Sequence, residues 1–340
     1  MAGETVLVTG GSGYIGGWCV IELLRRGYVV RTTVRDLKSE PTVRAAMEPL
    51  IAKDAPLTFH AVNLLSDDGW DAAAAGCDYV LHVASPISVA EPKDPDELIV
   101  PAREGALRAI RAAIKAGVRR VVMTSSVAAT GRGYDAPDGV SDETNWTDGD
   151  DVRVGAYGRS KTLAERAAWD LIASSGGATQ LATVNPALVL GPVLSGDFSG
   201  SIQVVQRLMA GKVPGVPRLG FNIVDVRDVA DLHIRAMTDE AAAGQRFIAA
   251  GEWAWMIDIA KILKARLGAE AAKVPTGKAP DFLLRLVGLF DRDIAGVTGS
   301  LGRKRDFSSA KAQSTLGWRP RPLEETIVDC ARSLVAAGAV

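Results

Sequence analysis

The stretch that most constrains this chain is its start, where a short apolar run from Thr5 to Val8 opens into Thr9-Gly10-Gly11-Ser12-Gly13-Tyr14-Ile15-Gly16-Gly17-Trp18. An amphipathic segment from Trp18 to Arg26 follows, and then a second strand-like run from Tyr28 to Val34. Strand, glycine turn, helix and strand within about thirty residues is the unit from which parallel sheets with crossover helices are built. Gly10 permits a tight turn, Gly13 lets the backbone approach a phosphate, and Gly16 lets the helix pack on the strand. The glycines are spaced three and three, where the usual fingerprint is spaced two and three. A helix N-terminus offers free N–H groups to phosphates, so Gly10, Gly13, Tyr14, Ile15 and Gly16 are read as a dinucleotide-binding turn.

The end of the second strand selects the dinucleotide. An acidic side chain there holds a ribose 2′-OH, whereas an arginine accommodates a 2′-phosphate. Arg31-Thr32-Thr33-Val34-Arg35-Asp36 offers both, and Lys38 follows closely. Strand alternation puts Arg31, Thr33 and Arg35 on one face. Three cations near one acid favour a phosphate, which makes Arg35 the expected ligand, Lys38 its neighbour and NADP(H) the expected cofactor.

Chemistry is suggested further along. The run Arg119 to Ser126 reads as a strand ending in the pair Ser125-Ser126, and Tyr157 to Leu171 reads as a helix. Tyr157 and Lys161, four apart, then share one helical face. An ordinary tyrosine has a pKa near 10, and a cation one turn away is expected to favour its phenolate. A serine hydroxyl can hold a carbonyl oxygen while the phenol moves the proton.

With these residues together, the chain resembles the extended short-chain dehydrogenases/reductases. Within them it is similar to the dihydroflavonol-reductase-like group, with its microbial aldehyde and ketone reductases. The resemblance is carried by the Thr9 to Gly16 turn, Thr33 to Asp36, Gly76-Cys77-Asp78, His82-Val83-Ala84-Ser85-Pro86, and Thr124-Ser125-Ser126. Tyr157 with Lys161, Asn185-Pro186, Gly191-Pro192, Ser308 to Lys311 and Leu316-Gly317-Trp318 complete it. It implies a catalytic Ser126, Tyr157 and Lys161. Adenine contacts are implied for Asn63 and Leu64, with Val83, Ala84 and Ser85 lining the cofactor. Pro186 and Val189 would stand at its nicotinamide end, and Ser201 would be a further contact.

Proximity to these motifs nominates Ser85, Ile87, Val127, Phe198, Phe221 and Asn222 as walls of a substrate pocket. Two positions depart from the plant flavonoid enzymes. Gly131 stands where those carry a side chain that handles the flavonoid ring, and Asn222 stands where they carry a glutamine. A simpler aldehyde or ketone is therefore expected.

Alternating strands and helices imply an α/β, Rossmann-type doubly wound parallel sheet. Residues 1–190 are expected to form the NADP-binding domain, with 221–252 returning to it. The rest of 191–340 is expected to form a smaller, interleaved substrate domain. The stretch from Gly131 to Asp151 reads as a long loop near the active site. The 340 residues are 47% hydrophobic and 23% charged, with a net charge of −1, which favours neither nucleic acid nor an anionic membrane as partner. No apolar run approaches membrane length, and no signal peptide is read. Cys19, Cys77 and Cys330 stand far apart and suit buried thiols in a cytoplasmic protein. His60, His82 and His233 lack metal-ligand spacing, and no metal is expected.

The expected activity is NADPH-dependent reduction of an aldehyde or ketone to an alcohol, by a monomer or homodimer acting on a small molecule. A nucleotide-sugar epimerase or dehydratase on the same fold is one alternative. A non-catalytic NADP-binding redox sensor is another.

Overall fold

The computed structural model describes residues 3–86, 91–133, 136–194, 200–212, 215–287 and 298–340; the pocket candidates Ile87 and Phe198 lie outside them. Seven strands make the central sheet. They are β1 (Thr5–Thr9), β2 (Val29–Val34), β3 (Leu57–Ala61), β4 (Tyr79–His82), β5 (Arg120–Thr124), β7 (Gln180–Pro186) and β10 (Arg246–Ala249). Their order is β10-β7-β5-β4-β1-β2-β3, and every pairing is parallel. The chain winds outward from β1 through β2 to β3, then restarts at β4 on the other side. The order therefore reverses between β1 and β4, and the crevice opens at their carboxyl ends.

Alternation along β1 explains the layering. Val6 and Val8 point into one buried cluster, shared with Trp18, Ile21 and Leu23 of helix α1 (Tyr14–Arg25) and with Val229 and Leu232 of α7 (Val226–Thr238). Leu7 points the other way, into a cluster with α4 (Asp96–Lys115) and α5 (Gly155–Ser174). There α4 presents Ala102, Ala106, Ala109 and Ala113 toward Ala164 and Ala168 of α5. Small side chains let the two helices approach closely. At Gly105 a β-carbon would come 2.7 Å from Leu64 Cδ2.

The C-terminal part is interleaved. Strands β8 (Leu188–Leu190), β9 (Gly220–Asp225) and β11 (Trp253–Trp255) form a small separate sheet. A third apolar cluster joins them to α6 (Ile202–Met209), α8 (Met256–Leu267) and the helix Leu323–Ala336. In the stretch 221–252, α7 and β10 pack in the central sheet's layers, while β9 belongs to the small sheet. The expected loop from Gly131 to Asp151 contains β6 (Gly139–Ser141), which pairs in parallel with β12 (Arg305–Phe307). Among the described residues, no helix is long and apolar enough to cross a membrane.

Candidate active site

The crevice is stitched by one hydroxyl. Thr9 Oγ1, ending β1, accepts from the main-chain N–H groups of Val83 and Ala84, each at 3.0 Å. Both lone pairs being used, its proton goes to His82 Nδ1 at 3.0 Å. His82 is 2% exposed, and burial with nearby Lys161 lowers its pKa to about 3. It is thus a neutral structural residue.

The glycine turn is packed so that side chains are excluded. Gly10 has φ 73°, and its N–H donates to Thr33 Oγ1 at 3.0 Å. A β-carbon on Gly16 would lie 2.2 Å from the Gly10 carbonyl oxygen. No side chain caps α1 at Gly13, so the first-turn amides of Tyr14, Ile15 and Gly16 have no intrahelical acceptor and face the crevice. The Tyr14 side chain points elsewhere. It wedges between the first and third clusters, and its buried hydroxyl has no partner among the described residues. Burial, with Cys330 and Asp225 nearby, raises its pKa well above the usual value. Ile15 packs on the first cluster.

At the end of β2, Arg35 and Lys38 are both exposed, and Arg35 has no hydrogen-bond or ion-pair partner among the described residues. Arg31 is not part of this group, contrary to the three-cation expectation. Its guanidinium turns to the Ala75 carbonyl at 2.7 Å. The competing acid is also engaged, since Asp36 Oδ1 accepts from Lys38 N at 2.9 Å. Beyond β3, Asn63 Oδ1 accepts from Leu65 N at 3.0 Å, and the Leu64 carbonyl accepts from Arg108 at 2.8 Å.

Ser126 follows β5 and opens a short helical turn, Val127–Ala129, by accepting from Ala128 N at 3.1 Å. Its side chain also interacts with the Tyr157 phenol. Burial raises the Tyr157 pKa, and the Ser126 side chain is what opposes that rise. Lys161 was expected to do the lowering. Instead its ammonium stands off the ring, 5.8 Å from the centroid, with no hydrogen bond among the described residues. Lys161 is 4% exposed, and burial brings its pKa down to about 8 against the opposing charge of Glu165. Glu91, unread in the sequence, accepts from Ala156 N at 2.6 Å and so supports the start of the helix bearing Tyr157.

The remaining candidates divide. Val83, Ala84 and Ser85 are half-buried beside the glycine turn, and Gly10 would meet Ala84 Cα at 3.1 Å if it carried a β-carbon. Ser85 Oγ donates to the Pro86 carbonyl at 3.4 Å, and Val127 is half-buried next to Ser126. Pro186 ends β7, and Ser201 precedes α6. Val189 is 6% exposed and belongs to the first cluster, so its side chain is spent on packing. Asn222 is likewise spent. Its amide donates to Gly251 O at 3.0 Å and Asp306 Oδ1 at 2.8 Å, and its oxygen accepts from Phe307 N at 3.0 Å. Its assignment to the substrate pocket does not fit a side chain whose polar atoms are all engaged in joining β9 to β12.

A family profile described as the NAD dependent epimerase/dehydratase family matches residues 6–250. Cinnamoyl-CoA reductase CAD2 of Medicago truncatula is 39% identical over 251 residues, covering 72% of this chain and 75% of that one. Dihydroflavonol 4-reductase of Gerbera hybrida is 36% identical over 269 residues, covering 76% and 72%. Among solved structures, yeast methylglyoxal/isovaleraldehyde reductase Gre2 complexed with NADPH superposes with a TM-score of 0.82. It is 26% identical and covers 99% of this chain and 100% of its own.

Proposed function

Because the chain belongs to the NAD dependent epimerase/dehydratase family, in its extended short-chain dehydrogenase/reductase branch, we propose that it is an NADPH-dependent reductase of aldehydes or ketones. The observation that carries this reading is the Tyr157 phenol, which interacts with Ser126 and stands one helical turn before an ammonium with no hydrogen bond among the described residues. The named relatives, all reductases, support it.

The crevice fits a dinucleotide. Side chains are excluded at Gly10 and Gly16, and among the described residues no side chain caps the first amides of α1 and Arg35 is unpaired beyond β2. NADPH, when bound, supplies the hydride. Ser126 Oγ–H donates to the carbonyl oxygen of the substrate and holds it against Tyr157. A phenol with a raised pKa keeps its proton at neutral pH, the state that reduction requires. It gives up that proton only as negative charge grows on the substrate oxygen, and the Lys161 charge stabilises the phenolate left behind. Lys161 also offers its free N–H donors to the nicotinamide ribose.

The preferred substrates are small or medium aldehydes and ketones. A β-carbon at Gly131 would come 2.8 Å from the Thr147 hydroxyl, and the Asn222 amide is fully bonded. Neither position can offer a polar group to a flavonoid ring hydroxyl, and an unmet hydrogen bond costs heavily in selectivity. The three unpaired, buried cysteines suit a cytoplasmic setting. The test is a side-by-side screen of NADPH oxidation with aldehydes, α-keto esters, diketones, aryl ketones and dihydroflavonols. Higher kcat/KM for a dihydroflavonol would overturn the substrate assignment, and no turnover with any carbonyl would overturn the reductase.

A further inference from the structure

A buried ion pair lies beneath the active-site serine. Glu165 is wholly buried, one turn beyond Lys161 on α5, and Arg246 of β10 is 7% exposed. Glu165 Oε1 accepts from Arg246 Nε at 2.7 Å and from Thr183 Oγ1 at 2.8 Å. Its Oε2 accepts from Ser125 Oγ at 2.6 Å and from Asn185 Nδ2 at 2.9 Å. Asn185 Nδ2 also donates to the Ser126 carbonyl at 3.1 Å. Arg246 donates to the Ala129 carbonyl at 3.3 Å and to the Glu143 and Asn145 carbonyls at 2.8 Å each. The Trp146 ring stacks 3.6 Å from its guanidinium carbon.

These bonds converge on one short segment. The Ser126 and Ala129 carbonyls are the two ends of the turn that presents the Ser126 hydroxyl, and both are gripped by this cluster. A buried pair of this kind is seldom a gain in stability over apolar residues of equal volume, because the attraction of the pair only offsets the cost of desolvating two charges. Its use is better sought in geometry.

We propose that the Glu165–Arg246 pair is a positioning element for catalysis. It fixes Ser126 relative to Tyr157 through Ser125, Asn185 and the Ala129 carbonyl, and it holds a negative charge one helical turn from the Lys161 ammonium. This rests on the reading of Ser126, Tyr157 and Lys161 as a reductase centre. The titratable and charged groups around it are few. Lys161 meets Tyr157 and Glu165 on its own helix and neutral His82 from β4. Arg246 meets the Glu143 main-chain carbonyl, with Lys311 and Asp142 beyond it, and shares the Trp146 ring with Arg166, 4.5 Å from its centre. Of these, Glu165 is the group that raises the Lys161 pKa.

The experiment compares wild type, Glu165→Gln and Arg246→Lys by thermal melting, NADPH fluorescence titration and the pH dependence of kcat and KM. The Lys161 titration is followed by NMR of 13C-labelled lysine, with Lys161→Met identifying the signal. Glu165→Gln is expected to bind NADPH within about threefold of wild type and to lose kcat by roughly 10–100-fold with little change in KM, as a small misplacement of a reacting group does. Its Lys161 midpoint should fall below that of wild type. Arg246→Lys should lose kcat without moving the midpoint, and it carries the test if Glu165→Gln does not fold. Wild-type kcat in either folded variant, an unmoved midpoint in Glu165→Gln, or a kcat loss wholly explained by melting overturns the inference. If wild type reduces no carbonyl yet the midpoint shifts, the reductase reading alone is overturned.

Discussion

The Lys161 ammonium stands 5.8 Å from the centre of the Tyr157 ring, one turn further along the same helix, while Ser126 is the side chain that opposes the burial-raised pKa of the Tyr157 phenol. In the proposed reductase, Tyr157 would deliver the proton and Lys161 would stabilise the charge left behind. Tyr157→Phe keeps the ring and removes only the transferable proton. Turnover is expected to fall by roughly 10²–10⁴ with NADPH affinity nearly unchanged by fluorescence titration. Retention of most of the turnover would mean that another group supplies the proton.

Arg35 is exposed at the end of β2 and unpaired among the described residues, whereas Arg31 is committed to the Ala75 carbonyl. Arg35→Ala is therefore expected to weaken NADPH by about 1.5–3 kcal/mol, the worth of a charged hydrogen bond, and to leave NADH almost untouched. Kinetics with both cofactors decide it. Equal loss for the two would remove Arg35 from the phosphate site.

The Lys161 pKa, lowered by burial to about 8, gives a pH signature with a definite sign. Its charge is complete below that value and lost above it, so kcat/KM for reduction should be level near neutrality and fall as pH rises through about 8. Stability moves the other way. Between about 8 and the ordinary value of 10.5 the unfolded chain holds a proton that the folded chain has released, so this lysine's contribution to stability improves with pH. A pH–activity limb accompanied by a parallel loss of melting temperature would point to unfolding instead.

Much of the frame was legible because short strand-like runs lead into a glycine turn after β1, a charged Arg35-Asp36 after β2 and serines just beyond β4 and β5. Tyr157 and Lys161 carry little signal in their spacing alone and stand out only beside the glycine turn and the serine pair that ends β5. Helix α5 hid the rest. Its buried positions include Ser160, Lys161, Thr162 and Glu165, so its inward face reads as polar and solvent-facing. A glutamate four residues beyond the lysine was the available signal, but its partner Arg246 is separated by 81 residues, and spacing cannot join them. Asn222 misled for a related reason. It sits in a strand near the site, yet its amide and carbonyl are consumed by residues 251, 306 and 307.

That occupancy makes Asn222 a test of structure against substrate contact. Asn222→Ala leaves the Phe307 N–H and Asp306 without this partner, and stability should fall by about 1–3 kcal/mol. The KM for small aldehydes should hold in the folded fraction. Urea unfolding together with steady-state kinetics separates the two, and an intact stability with a raised KM would return Asn222 to the pocket.

Gly16 offers a sharper test of the turn. Gly16→Ala drives a β-carbon to 2.2 Å from the Gly10 oxygen, so the turn must open or the helix must retreat. NADPH binding by fluorescence is expected to be lost or weakened by at least about tenfold, consistent with an overpacking cost of roughly 1–3 kcal/mol. Wild-type affinity would show that the turn is not where the phosphates lie.

The pairing of β10 with β7 and of β12 with β6 has a consequence for the chain during synthesis. When β7 has left the ribosome, the glycine turn, Ser126, Tyr157 and Lys161 have all been delivered, yet Glu165 lacks its hydrogen-bonded partner Arg246 and β7 is an open edge. Such an edge is a template for unwanted pairing between nascent chains. Arg246 closes both deficits at once, and Arg305–Phe307 later fastens the segment beyond Ser126. A fragment ending at β7 would thus bear Ser126, Tyr157 and Lys161 without the Arg246 contacts that hold their surroundings still.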